Sequence, residues 1–283
     1  MKNAGCLALM MLVACATSKE ATPSAKHNCK ENECPRPRKE EQVQTPQIQS
    51  SVVIESHFTI ETEKKNCPSE MVLVEGEFCP EVREECDKWL DPPGTKFARC
   101  KKFKPSVCIS KQRVHKRFCI DTDEYTEQGE TLPKANVSWE QAKAICEGHG
   151  KQLCSESNWT YACEKGENDT IHAYTTGLER PSDVCNFDLI DLLNAQGKLK
   201  DFRKPVSELL KCVNPTTGVR NMNGNMDEWT IRDLNGGPYK SALKGNWWMG
   251  ARSRCRPATV DHSETNYWSI SVGFRCCSET KDK

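Results

Sequence analysis

The sequence predicts a mixed helix-and-strand protein, rich in loops and held together by disulfides. Three observations carry this: two short helical stripes that each close on a cysteine, a segment of strict alternation over residues 51–61, and eighteen cysteines among 283 residues. The helical pair lies in residues 136–166, NVSWEQAKAICEGHGKQLCSESNWTYACEKG. Ser138 is a natural N-cap with Gln141 three positions on, which makes a capping box. Ala142, Ile145 and Cys146 then recur at i, i+3 and i+4, and Gly148 with Gly150 stops the helix. Ser155 caps a second helix, in which Trp159, Ala162 and Cys163 repeat the spacing and Gly166 ends the run. Both helices are therefore expected to be amphipathic, each pointing one cysteine inward toward a strand far along the chain.

In residues 51–61, Val52, Ile54, Ser56, Phe58 and Ile60 share one face and His57 lies on the other, which predicts a half-buried strand with a solvated histidine. Cys67, Cys79, Cys86, Cys100, Cys108 and Cys119 follow, and their spacing does not fix how they pair. Asp121, Asp123 and Glu124 read as exposed strand and turn residues, because the glycine and distant bidentate glutamate of a calcium loop are missing. Beyond Gly166, Gly177, Pro181, Gly197, Pro205 and Pro215 punctuate a chain dominated by loops.

Composition narrows the function classes. Lys plus Arg and Asp plus Glu balance at 40 each, so nothing points to a nucleic-acid partner. The cysteines form no paired CxxC and no Cys/His array with zinc spacing, so they predict a disulfide framework in an oxidising compartment. Lys2 precedes an apolar run over residues 7–14, too short to span a bilayer and suited to a signal peptide. Leu12, Val13, Ala14 and Cys15 have the form of a bacterial lipobox, which predicts cleavage before Cys15, acylation of that thiol and a membrane contact through the lipid. Ala16 in the next position favours the outer membrane. Setting Cys6 and Cys15 aside leaves sixteen cysteines, an even number. The expected organisation is a signal peptide over 1–14, a disordered tether over 15–50, a Cys-rich part over 51–118 and a main domain over 119–283.

The helical stretch also carries a resemblance. VSWEQAKAIC and GKQLCSESNWTYAC are similar to the VSW-x-x-A and GKRLPTEAEWEYA signature of the formylglycine-generating enzymes, or sulfatase-modifying factors. Three further segments match in the same order: Cys185 with Asn186, GVRNMNGNMDEWT over 218–230, and VGFRCC over 272–277. The resemblance implies an α+β, C-type-lectin-like fold of short twisted antiparallel strands, two main helices and much loop. It implies a structural calcium held by the side chains of Asn221 and Glu228 and the carbonyls of Gly224 and Met226, all oxygen donors as a hard cation needs. A second calcium would use Asn186 and the carbonyl of Phe187, with Asp201 off the pattern. It further implies the disulfides Cys146 to Cys276 and Cys163 to Cys255.

The family's copper-dependent members use two thiolates five residues apart, as Cu(I) requires. Here Gly250 aligns with the first and Cys255 with the second, while Trp247 and Asp227 replace a serine and a tryptophan near the metal. Copper, and the oxidase chemistry it supports, is therefore not expected to come with the fold. The six histidines, at 27, 57, 115, 149, 172 and 262, lack the cluster of the family's iron enzymes, and His149 reads as a helix-end residue. Arg252, Arg254, Arg256 and Arg275 are candidates for an anion pocket, surface ion pairs being their commoner fate. The resulting expectation is a non-catalytic envelope lipoprotein that binds a small ligand or another protein. Its alternatives are an oxidoreductase of the sulfatase-modifying type, or a purely structural protein with a shallow, uncharged surface around Trp247 and Trp248.

Overall fold

The computed structural model describes residues 66–234, 238–250, 252–262 and 264–281. The expected lipidation at Cys15, the tether with Cys29 and Cys34, and the strand over 51–61 lie outside these residues. An α+β architecture follows. The first four-stranded sheet has the order β1 (Met71–Phe78), β6 (Val114–Asp121), β12 (Cys276–Ser278), β7 (Gln152–Leu153), with antiparallel pairings throughout. The second has the order β10 (Val260–His262), β9 (Ser241–Lys244), β8 (Asp227–Ile231), β11 (Val272–Phe274). Here β8 and β11 run parallel, a departure from the all-antiparallel expectation. Two small ribbons, β2 (Val82–Arg83) with β5 (Val107–Cys108) and β3 (Cys86–Trp89) with β4 (Cys100–Phe103), complete the set.

Helix α1 (Trp139–Gly148) opens on the capping box read from the sequence: Ser138 accepts from the Gln141 amide and the Gln141 side chain accepts from the Ser138 amide. His149 caps its end and Gly150 turns the chain at φ 68°. Ala142 and Cys146 pack with Trp229, Leu243, Val272 and Phe274 of the second sheet. Helix α2 (Glu156–Glu164) opens on Ser155 as predicted, but it is not amphipathic. Glu156, Ser157, Thr160 and Glu164 are buried along with Trp159, Ala162 and Cys163, and remote segments supply partners for Ser157 and Glu164. The Glu164 carboxylate receives Arg256, and the Ser157 amide and hydroxyl reach Asp233. Trp159 and Tyr161 close the other core with Val74, Phe78, Phe118 and Ile120 of β1 and β6.

All fourteen described cysteines are paired: 67–119, 79–108, 86–100, 146–276, 154–277, 163–255 and 185–212. The bonds from Cys146 and Cys163 span 130 and 92 residues and tie each helix to the C-terminal quarter of the chain. In the chain-entropy account, loops of that length stabilise by roughly 4–5 kcal/mol each.

Two sequence expectations are corrected here. Asp121 and Glu124 are buried rather than exposed: Asp121 receives Lys151 and the Cys276 amide, and Glu124 receives Asn225. Arg275 is no surface residue either, being fully buried against Glu228 at the junction of the two sheets. Removing one member of such a pair strands an uncompensated charge. Arg275→Met is therefore expected to cost about 3–5 kcal/mol in denaturant unfolding, with Glu228→Leu in the same chain recovering a large part. Additive losses in that double-mutant cycle would refute the coupling.

Candidate functional site

The site begins with the loop over residues 218–226. Asn221, Gly224 and Asn225 take φ values of 58°, 83° and 61°, a left-handed region that asparagine tolerates and glycine enters freely. At Gly224 glycine is obligatory, since a Cβ would lie 2.5 Å from the carbonyl oxygen of Asn186. This close approach locks the loop onto the segment after Cys185. The Asn225 amide donates to the Asn186 carbonyl at 2.8 Å, and the Asn225 side-chain oxygen accepts from Asn186 Nδ2 at 2.9 Å and from the Lys204 amide at 2.9 Å. The chain then enters β8, where Trp229 donates its indole N–H to the Val137 carbonyl at 2.9 Å.

Glu228 lies beneath this loop with both oxygens engaged. Oε2 accepts from Trp159 Nε1 and Arg275 Nε, each at 2.7 Å, and Oε1 accepts from Arg275 Nη2 at 2.7 Å. Burial works against the Arg275 charge, but Glu228 more than offsets it, so the guanidinium is held above its ordinary range. The Asn221 side chain is equally buried, and neither of its polar atoms has a hydrogen-bond partner. A buried amide with both polar atoms open is one that a bound ion or water can complete. Its oxygen and the carbonyls of Gly224 and Met226 are donors of the kind a hard cation takes, while Glu228 is already held by Arg275 and Trp159. The second implied set is less well provided. Asn186 Nδ2 bridges Phe202 O and Asn225 Oδ1, the Phe187 ring carries the Arg180 guanidinium at 4.7 Å, and Asp201 is turned toward Arg203.

Around the turn over 245–255 the structure does not fit a pair of copper thiolates. Gly250 takes φ 77°, and a Cβ there would lie 2.7 Å from the Asp188 amide nitrogen. Asp188, bound by Arg180 Nε and Nη2 at 2.7 and 2.6 Å, cannot readily move away, and Arg180 also donates to the Gly250 carbonyl. Cys255 is buried and bonded to Cys163.

Beside this turn opens a cleft of about 510 Å³. Its walls include Phe97, Leu199, Trp247, Met249 and Tyr267, and its floor holds Asp227. Burial pushes the Asp227 carboxyl up to about 7, with the Thr259 hydroxyl and the Asn246 amide pulling the other way. Neither Asp227 Oδ1 nor the Thr259 hydroxyl completes a hydrogen bond of good geometry. Trp247 stands on the lining of this cleft, while Trp248 is wholly buried. Arg252 stands on the cleft wall over the Phe97 ring at 4.6 Å, and Arg254 and Arg256 pair with Glu84 and Glu164. The four arginines thus do not converge on one pocket. Sequence reasoning noted Asp227 and Trp247 only as replacements; Phe97, Leu199 and Tyr267 come from remote loops and gave no local signal.

The family model of the sulfatase-modifying factor enzyme 1-like domain matches residues 25–280. The chain belongs to the formylglycine-generating-enzyme family. Its α+β, C-type-lectin-like architecture is that of the family domain. Among curated relatives, the "Inactive C-alpha-formylglycine-generating enzyme 2" of Bos taurus is 26% identical over 161 residues, covering 52% of this chain and 50% of the relative. The protein of the same name from Mus musculus is 26% identical over 160 residues, covering 52% and 49%. The chain thus spans about half the length of these relatives. Among solved structures, CarF is similar with a TM-score of 0.49 and 17% identity, covering 75% of this chain and 98% of CarF. PvdO from Pseudomonas aeruginosa is similar with a TM-score of 0.45 and 17% identity, covering 77% and 96%.

Proposed function

We propose that this chain is a non-catalytic, ligand-binding member of the formylglycine-generating-enzyme family, held at a bacterial envelope by a lipid on Cys15. The observation that carries the loss of catalysis is the backbone at Gly250. Its left-handed turn leaves no room for a side chain where the family's first copper thiolate stands, and the thiol at the second position is spent in the 163–255 disulfide. A cleft opens beside that turn, and Asp227 and Trp247, which align with the tryptophan and serine near the family's metal, stand on its lining. Pockets of a few hundred Å³ with apolar walls and one or two polar groups suit small-ligand binding. The name of the two mammalian relatives, inactive enzymes, supports the same reading.

The test is an assay for formylglycine formation on a cysteine peptide with added copper, combined with alkylation of the unreduced protein. No product and an unreactive Cys255 are expected; product, or an alkylated Cys255, would overturn the reading.

The envelope assignment rests on the lipobox over 12–15 and on a cysteine set suited to an oxidising compartment. Replacing Cys15 by Ser should shift the protein from the membrane to the soluble fraction, and unchanged fractionation would remove the anchor from the proposal.

Calcium is the cofactor that the Asn221 oxygen set would hold, as a structural ion bracing the loop against β8. A ligand that binds only the folded state raises stability with the logarithm of its concentration. Chelation is expected to lower the melting temperature of the wild type by several degrees and to leave Asn221→Ala unmoved. Equal melting of the wild type with and without chelator would exclude the ion.

A further inference from the structure

A second cleft, of about 650 Å³, opens beyond the end of β6. It is clear of the Asp227 cleft and of the disulfides that bear on catalysis. Six carboxylates line it, from Glu70, Asp121, Asp123, Glu124, Glu127 and Glu130, against a single lining cation, Lys151. Three of the six are already compensated: Asp121 by Lys151 at 2.6 Å, Asp123 by Arg220, and Glu127 by Lys134 at 2.6 Å. Among the described residues, Glu70, Glu124 and Glu130 have no ion-pair partner.

Glu124 supplies an independent sign of a ligand. It is 2% exposed, its Oε2 accepts from Asn225 Nδ2 at 2.8 Å, and its Oε1 lies buried with no hydrogen-bond partner. Burial and the charge of Glu228 push the Glu124 carboxyl well above its ordinary range, and a cation reaching it from the cleft would favour its ionised form. The class of donor follows from how the charges are spread. No three acidic, histidine or cysteine side chains among the described residues converge on one point, so the acidic groups of this cleft are spread along it. Charges dispersed along a cleft suit a cation whose own charges are dispersed. The Tyr125 ring, Val206 and Cys276 provide apolar wall between the carboxylates, where methylene segments can lie.

We propose that this cleft binds a linear organic oligoamine, protonated nitrogens joined by short methylene segments, with one ammonium donating to Glu124 Oε1 and others facing Glu70 and Glu130. The site does not depend on the proposed loss of catalysis or on calcium.

Spermidine binding to the full chain, measured by titration calorimetry at low salt with calcium present throughout, tests it. One binding site per chain is expected. The Glu70→Gln/Glu130→Gln variant changes two exposed side chains, so it should fold normally and bind at least ten-fold more weakly. Glu124→Gln keeps the shape of the buried side chain and should also weaken binding. Butylamine, with one charge, should bind far more weakly than spermidine, and raising the salt should weaken the complex. The proposal is overturned if spermidine gives no saturable binding, if the double variant binds it as well as the wild type, or if butylamine matches spermidine, which would leave only a general attraction to acidic surface.

Discussion

The fold depends on one buried ion pair. Arg275 sits between β11 and β12, which belong to different sheets, and it binds Glu228 of β8 through two nitrogens. Its remaining donors reach the carbonyls of Asp121, Thr122 and Arg220, at the end of β6 and in the loop ahead of β8. The same carboxylate takes the indole N–H of Trp159 from the centre of α2. Both sheets, one helix and the proposed calcium loop therefore meet at two side chains, each wholly removed from water. Such a pair adds little net stability over an apolar substitute, because desolvation consumes most of the attraction. Its bonds instead tie together β6, β8, α2 and the loop ahead of β8.

That arrangement needs reinforcement, because regular structure is scarce. Two helices and short strands leave most of the backbone in loops, whose ordering is costly in entropy. Seven disulfides among the described residues supply that reinforcement, from the bond Cys86–Cys100 within one ribbon to the bonds that tie the two helices to Cys276 and Cys255. Cys146 and Cys154 are bonded to the neighbouring residues Cys276 and Cys277, which pair with Leu153 and Gln152 of β7. The ion pair and the covalent clamp are thus adjacent along the chain, and residues 275–277 bond to β6, α1, β7 and β8.

The sequence made legible what is local. The capping box at Ser138, the cap at Ser155, the glycine turn at 150 and the positive-φ residues of the 218–226 loop can each be read from a few neighbouring letters, since backbone sterics and short-range hydrogen bonds decide them. What could not be read is compensated burial. Asp121, Glu124, Glu156 and Glu164 look like solvent residues because their partners lie elsewhere; Glu164 meets Arg256 from 92 positions away and Glu124 meets Asn225 from 101. The candidate site divides the same way. Asn221 and Glu228 were found through their motif, whereas the cleft above Asp227 is assembled from Phe97, Leu199, Thr259 and Tyr267, which share no period and no spacing.

The relation between the family's chemistry and this chain turns on a backbone choice rather than on the loss of one side chain. A cysteine placed at position 250 would have to occupy a left-handed conformation and press its Cβ against the Asp188 amide, whose carboxylate is clamped by Arg180. Restoring the thiol alone therefore cannot restore a copper pair; the 180–188 segment would have to move and the 163–255 bond would have to open. The second change costs a cross-link spanning 92 residues, and the first breaks a salt bridge whose arginine is almost fully buried. The contacts that hold the Gly250 turn in place, from Arg180 to Asp188 and to the Gly250 carbonyl, are the same ones that leave no room for a Cβ at that position.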